Sequence, residues 1–339
     1  MMGSTSLQLA VLKRRIQQVA PPVFAFLKAL NRRREQLWRS PLVYGWRGRC
    51  FVLKERCTGF PALRRQFFRK TGYEIDLKSP RTFNQKISWL KLQPITSFQV
   101  EAVDKARSKQ LALALANEHG LELHASQTLA LVSSPSEIPW ESLPPRVVLK
   151  ATHASGAVQF VDRNQNDFSE SIEPLLESWL QYPYGVYKHE WVYWPVRRRL
   201  LVEEWLDSDR VSGLVDYKFH MSRGRCLAIQ VNEGFQTGAR TRSILTPDWC
   251  PHDVDWLYPR PSSLPKCPPN LKDMLRLAQV FSRDCAYLRV DLYNVPRPNG
   301  SLGIYFGEFT FFPGSGSEEI RPYSFDLWLG SQIELQDLS

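Results

Sequence analysis

The sequence predicts a mixed α+β protein, and three observations carry the prediction. Residues 286–316 read as two strands rich in β-branched and aromatic residues, joined at Asn299-Gly300, the strongest short hairpin signal in the chain. Residues 146–162 set a β-branched strand, Val147-Val148-Leu149, before a small-residue loop, Ala154-Ser155-Gly156-Ala157, with a second strand starting near Val158. Residues 101–120 and 271–281 instead space their apolar positions as helices do, and Gly120 supplies a C-cap for the first.

The hairpin carries the first chemical signal. A two-residue Asn299-Gly300 turn places Asp291 opposite Glu308 and Arg289 opposite Thr310. Directly opposed side chains sit roughly 5 Å apart, where like charges repel. Two carboxylates held that close point to a cation between them, and Mg²⁺ suits hard oxygen ligands completed by substrate phosphates. Pro296 and Pro298 each remove a ladder donor, so the pairing depends on the register holding.

The loop at 154–157 carries the second. Small residues let backbone N–H groups approach an anion, and Lys150, at the end of the preceding strand, supplies a point charge beside them. The stretch is not a Walker A sequence, which needs GxxxxGK[ST]. A third strand, Asp216-Tyr217-Lys218-Phe219-His220, turns at Ser222-Arg223-Gly224. Alternation puts Asp216, Lys218 and His220 on one face, with Lys218 placed to reach a phosphate and Asp216 to orient it. Residues 247–270 read as an irregular connector, and the Arg240–Arg242 stretch offers charge for an acidic substrate.

With 339 residues and 43% apolar composition the chain is globular and large enough for two or three subdomains. Its 44 Lys and Arg against 34 Asp and Glu give a net charge of +10, which favours an anionic partner. Six cysteines form no CxxC pair, so zinc ribbons and thioredoxin-like sites are not expected, and reduced thiols in a cytoplasmic protein are. No uncharged apolar window reaches the roughly 18 residues a transmembrane helix needs, and the start lacks a charged region before an apolar run, so a secretory signal is not expected. Residues 1–50 are dense in Lys and Arg and contain an amphipathic stretch after Pro21-Pro22. They read as a basic extension, either solvated or in peripheral contact with an anionic membrane surface.

RVDLY followed by FGEFTFFPGSG resembles the metal-binding part of ATP-grasp ligases, and more narrowly their teichuronopeptide-biosynthesis (TupA-like) branch. Further matches are SPRTFNQKISWLK, DKARSKQLA, RVVLKATHASGAVQFVD, LLVEEWL, DYKF and FDLWLGSQIEL, so the resemblance runs from about Tyr73 to Gly330. It implies two α+β subdomains gripping a nucleotide. The implied plan is a basic N-terminal extension at 1–50, a helical and α+β subdomain at 51–140, a small subdomain with phosphate loop and hinge at 141–206, and a C-terminal subdomain with the metal hairpin at 207–339. ATP and Mg²⁺ are the implied cofactors. Asp291, Glu308 and Thr310 would hold the metal. Lys105, Lys150, Ser155, Gly156 and Lys218 would line the triphosphate, and Glu203, Glu204, Trp205 and Leu206 would form the adenine and ribose hinge. Arg289 and Lys218 would be catalytic. The family places asparagine where this chain has Thr310, a weaker ligand.

The implied reaction is carboxylate activation as an acyl phosphate, then displacement by an amine, in cell-surface polysaccharide or polyglutamate-type polymer assembly. The implied partner is an anionic small molecule, glycan or peptide, with no nucleic acid. A sugar kinase, or a non-catalytic nucleotide-binding partner of glycosyltransferases, would use the same triphosphate site.

Overall fold

The structure, a computed structural model, describes residues 41–164, 172–206, 214–233, 240–297 and 300–335. Most of the basic extension and the hairpin-tip residues Pro298 and Asn299 lie outside the described residues. Contacts divide the chain into one unit at Met1–Leu53 and another at Lys54–Ser339. In the first, the described residues are helical, the beginning of α1 (Pro41–Cys57).

The second unit is built on two sheets. Strands β1 (His124–Ala125), β6 (Asp216–Ser222), β7 (Arg225–Glu233), β8 (Thr241–Leu245), β10 (Leu288–Pro296) and β11 (Leu302–Thr310) form the larger, in the order β1-β11-β10-β6-β7-β8. Strands β2 (Thr128–Val132), β3 (Arg146–Ala151), β4 (Val158–Asp162) and β5 (Leu200–Glu204) form the smaller, in the order β2-β5-β3-β4. A two-stranded piece joins β9 (Asp255–Trp256) to β12 (Ile320–Arg321). Val147 and Leu149 of β3 and Leu200 and Val202 of β5 are fully buried, as their apolar runs require.

The long hairpin reaches the expected pairing by an unexpected route. Arg297 N–H donates to Ser301 O, so three residues rather than two span the loop. Strand pairs near it, such as Val295 with Gly303, are therefore one residue out of the expected register. A β-bulge between Asp291 and Leu292 restores it, and Asp291 does face Glu308, as Arg289 faces Thr310. Gly307 is the extra residue. A Cβ there would lie 2.8 Å from Asp291 O and 2.8 Å from the Tyr293 ring, so the bulge needs glycine for the backbones to approach this closely.

The helix expected over residues 101–120 is two helices, α4 (Ser97–Val103) and α5 (Ser108–Glu118). Asp104 breaks it: the backbone there is extended, its buried carboxylate accepts the Ala106 N–H at 3.0 Å, and its carbonyl accepts the Ser108 N–H at 2.8 Å. A short acidic side chain that bonds the local backbone competes with the helical ladder. The break matters because Lys105 lies in it, with its N–H on Thr152 O at 3.1 Å.

Helix α3 (Phe83–Leu90), within SPRTFNQKISWLK, starts with a Thr82–Gln85 capping box and fastens the C-terminus to the domain. Asn84 accepts the Glu318 N–H and donates to Asp326 of α8 (Tyr323–Ser331) at 2.9 Å; Lys86 donates to Ile333 O and Lys91 to Ser315 O, each at 2.6 Å. The motif thus has a structural role in binding the tail.

His220 shares a sheet face with Lys218 but lies in the core, against Phe83, Trp256 and Tyr287. Burial pushes its imidazole down to about 3, and the charges of Arg289, Arg242 and Lys218 add to this. The fold thus holds His220 neutral, while the unfolded chain protonates near the ordinary 6.5. Its contribution is complete above 6.5 and is lost as pH falls toward 3. His220→Gln is expected to unfold in urea with a weaker pH dependence than wild type on the acid side of neutrality. Parallel pH profiles for the two proteins would contradict this.

Candidate active site

The two sheets close on a cavity of about 250 Å³ lined by Lys105, Lys109, Lys150, Glu203, Asp216 and Glu308, with Val148, Phe160, Leu206 and Tyr293 as apolar walls. Larger hollows of about 440 and 650 Å³ lie elsewhere and lack this set of lysines and carboxylates. Lysines and carboxylates beside apolar walls suit an anionic ligand with a planar ring.

On the smaller sheet, Glu203 is buried between two lysines. Lys150 Nζ lies 2.5 Å from one carboxylate oxygen and Lys109 Nζ lies 2.7 Å from the other. Burial pushes Glu203 up, but the two lysines outweigh it and hold the carboxyl below its ordinary value. Lys109 also donates to Ser126 O and Thr128 Oγ1, each at 2.9 Å. Only Lys150 of the pair keeps appreciable exposure, 26% against 9% for Lys109, so it is the one with charge to offer a ligand. Glu204 accepts the Gln127 N–H at 2.7 Å. Trp205 packs on Phe160 and under the Arg146 guanidinium, outside the cavity wall that Leu206 helps to form.

On the larger sheet, Arg289 joins the two opposed carboxylates. Its Nε and Nη2 donate to Asp291 at 2.7 Å each, and Nη2 also reaches Glu308 Oε1 at 2.9 Å and Thr310 Oγ1 at 3.0 Å. Lys218 pairs with Asp216 at 2.6 Å and with Asp291. Burial works against the Lys218 ammonium, but Asp216 and Asp291 outweigh it and raise its pKa. Glu308 is pushed up by burial but pulled further down, to about 2, by Lys105, Arg289, Lys218 and the Thr310 hydroxyl. Lys105 Nζ lies 3.8 Å from Glu308 Oε2.

The cation between the carboxylates is therefore a guanidinium. A hard divalent cation also fits in donor type: two carboxylates and a hydroxyl share one face. Glu308 is the accessible member, with its side chain 32% exposed and only the long Lys105 contact on Oε2. Asp291 is fully buried, with both oxygens taken by Arg289 and Lys218, so its direct ligation requires those groups to shift. Among the described residues no three His, Cys, Asp or Glu side chains converge as a ligand set. Phosphate or water oxygens would complete the shell.

Ser155 and Gly156 are exposed on the β3–β4 loop and do not line the cavity. Gly156 has φ +79, with nothing within 4 Å of an added Cβ. Gly156→Val is expected to cost about 1–2 kcal/mol from that left-handed backbone, and nucleotide affinity in addition. Gly156→Asn, which tolerates this conformation, should restore stability ahead of affinity. Normal ATP titration of a folded Gly156→Val protein would remove the loop from the site. Sequence reasoning did not find Lys109, Phe160, Tyr293 or Gly307. Lys109, one helical turn after Lys105, was the one with a visible signal.

Two sheets closing on a lysine- and carboxylate-lined cavity, one bearing the Arg289–Asp291 and Glu308–Thr310 hairpin, form an ATP-grasp fold. The model of the TupA-like ATP-grasp family matches residues 85–334, and the chain belongs to that family. Solved structures similar to it include D-alanine–D-alanine ligase from Bacillus anthracis, 14% identical with TM-score 0.36, over 66% of this chain and 64% of that one. The D-alanine–D-alanine ligase from Helicobacter pylori is 14% identical with TM-score 0.38, over 75% and 67%. The L-amino acid ligase from Bacillus licheniformis is 13% identical with TM-score 0.39, over 69% and 49%. The chain thus spans about half to two thirds of the length of these structures. A search of curated proteins gave no match.

Proposed function

We propose that this protein is an ATP-dependent carboxylate–amine ligase acting through an acyl phosphate, in the assembly of a cell-surface polysaccharide or polyglutamate-type polymer. The observation that carries the reading is the Arg289 fork across Asp291, Glu308 and Thr310, paired through Asp291 with Lys218 and reaching, at Glu308, the cavity that Lys105 and Lys150 line. Phosphoryl transfer depends chiefly on positioning and on neutralising charge, which these groups provide. Lys150 and Lys105 bind the phosphates. Glu308 and Thr310, with Asp291 once Arg289 and Lys218 shift, would hold Mg²⁺, which would neutralise phosphate charge. Asp216 orients Lys218 toward the transferred group. Arg289 presents two donors to the oxygens of the activated carboxylate. Phe160, Leu206 and Tyr293 wall the base, and Glu203 to Leu206 form its polar edge.

The protein acts in the cytoplasm on an anionic small molecule, glycan or peptide, with the basic N-terminus as a contact to the inner membrane face. Among the described residues no helix is long and apolar enough to cross a membrane. The test is ADP release by the full chain with Mg-ATP, screened over carboxylic acids and amines. Release that requires an acid and an amine together is expected. Release with a sugar alone would make the protein a kinase, and nucleotide binding without turnover would make it a scaffold.

A further inference from the structure

Arg242 of β8 stands apart from the groups used above. It lies on the same face of the larger sheet as Asp216 and Lys218, in register with Asn232, which in turn pairs with Asp216. The residue is 6% exposed. Its Nε donates to Asn232 Oδ1 at 3.0 Å, and with the Gln230 amide turned to satisfy its neighbours, Gln230 accepts from Nη2 at 3.3 Å. Nη1 has no hydrogen-bond partner. The nearest carboxylate, Glu318, is 3.8 Å from Nη1, beyond hydrogen-bond reach, and its Oε2 accepts the Trp256 indole N–H at 2.7 Å. The Tyr258 ring lies 5.0 Å from the Arg242 guanidinium and 5.9 Å from that of Arg240, which also donates to the Tyr258 hydroxyl at 3.2 Å.

A buried guanidinium is normally paired and fully bonded. An unmade bond to a charged donor costs more than a neutral one, and a structural arginine here would be expected to share a fork with Glu318. Strands lie about 4.8 Å apart, so the three steps from Arg242 through Asn232 and Asp216 to Tyr293 span roughly 14 Å of backbone, and Asp291 lies two residues further along β10. That is too far for the group being phosphorylated and about right for the other end of a small extended substrate.

We infer that Arg242, backed by the Tyr258 ring and Arg240, is a specificity subsite for a second oxyanion of the substrate, a carboxylate or phosphate remote from the reacting carboxyl. The inference rests on the ligase reading for its biological use, but anion binding is measurable without turnover. The substrate class is thus an acid with at least two anionic groups.

The test is calorimetric titration of the full-length protein, saturated with Mg-ADP, with glutarate and separately with inorganic phosphate. Arg242→Gln is expected to lower affinity for the preferred anion at least about tenfold, and Arg242→Lys less, because a point charge does not replace a planar fork. Glu318→Gln removes the competing carboxylate and is expected to raise the affinity about threefold. This arm decides the matter if Arg242→Gln fails to fold. A response to glutarate alone or to phosphate alone identifies the anion, and either supports the subsite. Equal titration of wild type and all three variants overturns it. ADP release from Mg-ATP by wild type and Arg242→Gln, measured beside these titrations, separates the two readings. Arg242-dependent anion binding in a protein that never releases ADP would sink the ligase and leave the subsite. Acid- and amine-dependent ADP release with an unchanged substrate KM in Arg242→Gln would do the reverse.

Discussion

Replacing Arg289 with methionine is expected to destabilise the domain by about 3–5 kcal/mol, the cost of breaking a buried ion pair by removing one partner. The side chain is 12% exposed and holds Asp291, Glu308 and Thr310 together. Without it Glu308 keeps Thr310 and a long contact with Lys105, whereas fully buried Asp291 keeps Lys218 alone. Burial already raises Asp291 above its ordinary value, with Arg289 the first of the charges opposing it. In the variant that carboxyl would rise further and take up a proton. Arg289→Met with Asp291→Asn should therefore recover much of the lost stability, because the uncompensated buried charge is gone. Arg289→Lys should be intermediate in stability but nearly as impaired as methionine in ADP release, since a single ammonium cannot span two carboxylates and a hydroxyl. Urea unfolding of the four proteins beside ADP release makes the comparison. Wild-type stability in Arg289→Met would show that the fork holds nothing together.

Lys150→Met is expected to lose about 2–4 kcal/mol of transition-state stabilisation, the size of one preorganised electrostatic contact, with a smaller loss of stability. The asymmetry follows from Glu203. It has a second lysine, Lys109, at 2.7 Å, so it stays paired when Lys150 is removed. Lys109→Met should show the opposite balance, because Lys109 also ties down Ser126 and Thr128. Lys150→Arg should not rescue fully, as its wide fork does not replace a compact ammonium beside Glu203. ATP affinity, ADP release and thermal melting of the three variants test this together. Early melting with normal ATP binding in Lys150→Met would make Lys150 a structural partner of Glu203.

The amino-acid sequence by itself determined the elements that rest on local chemistry: the β-branched strand 147–149, the turn at Arg223-Gly224, the helix over 271–281, and two carboxylates facing each other across a hairpin. These follow from residue-scale preferences and from the period-two alternation of strands. Tertiary structure decided what fills the space between those carboxylates. Repulsion between Asp291 and Glu308 is legible in the sequence, but its relief by Arg289 and Lys218 depends on β6 lying beside β10, a pairing of residues 73 positions apart. Tertiary structure also decided the register. The longer loop displaces the strands by one residue and the Gly307 bulge returns them, so two departures cancel at the site. The pairing of Lys109 with Glu203 and the burial of Arg242 share one cause. Each depends on which distant groups a side chain meets once the sheets close, and no spacing within a short stretch encodes that.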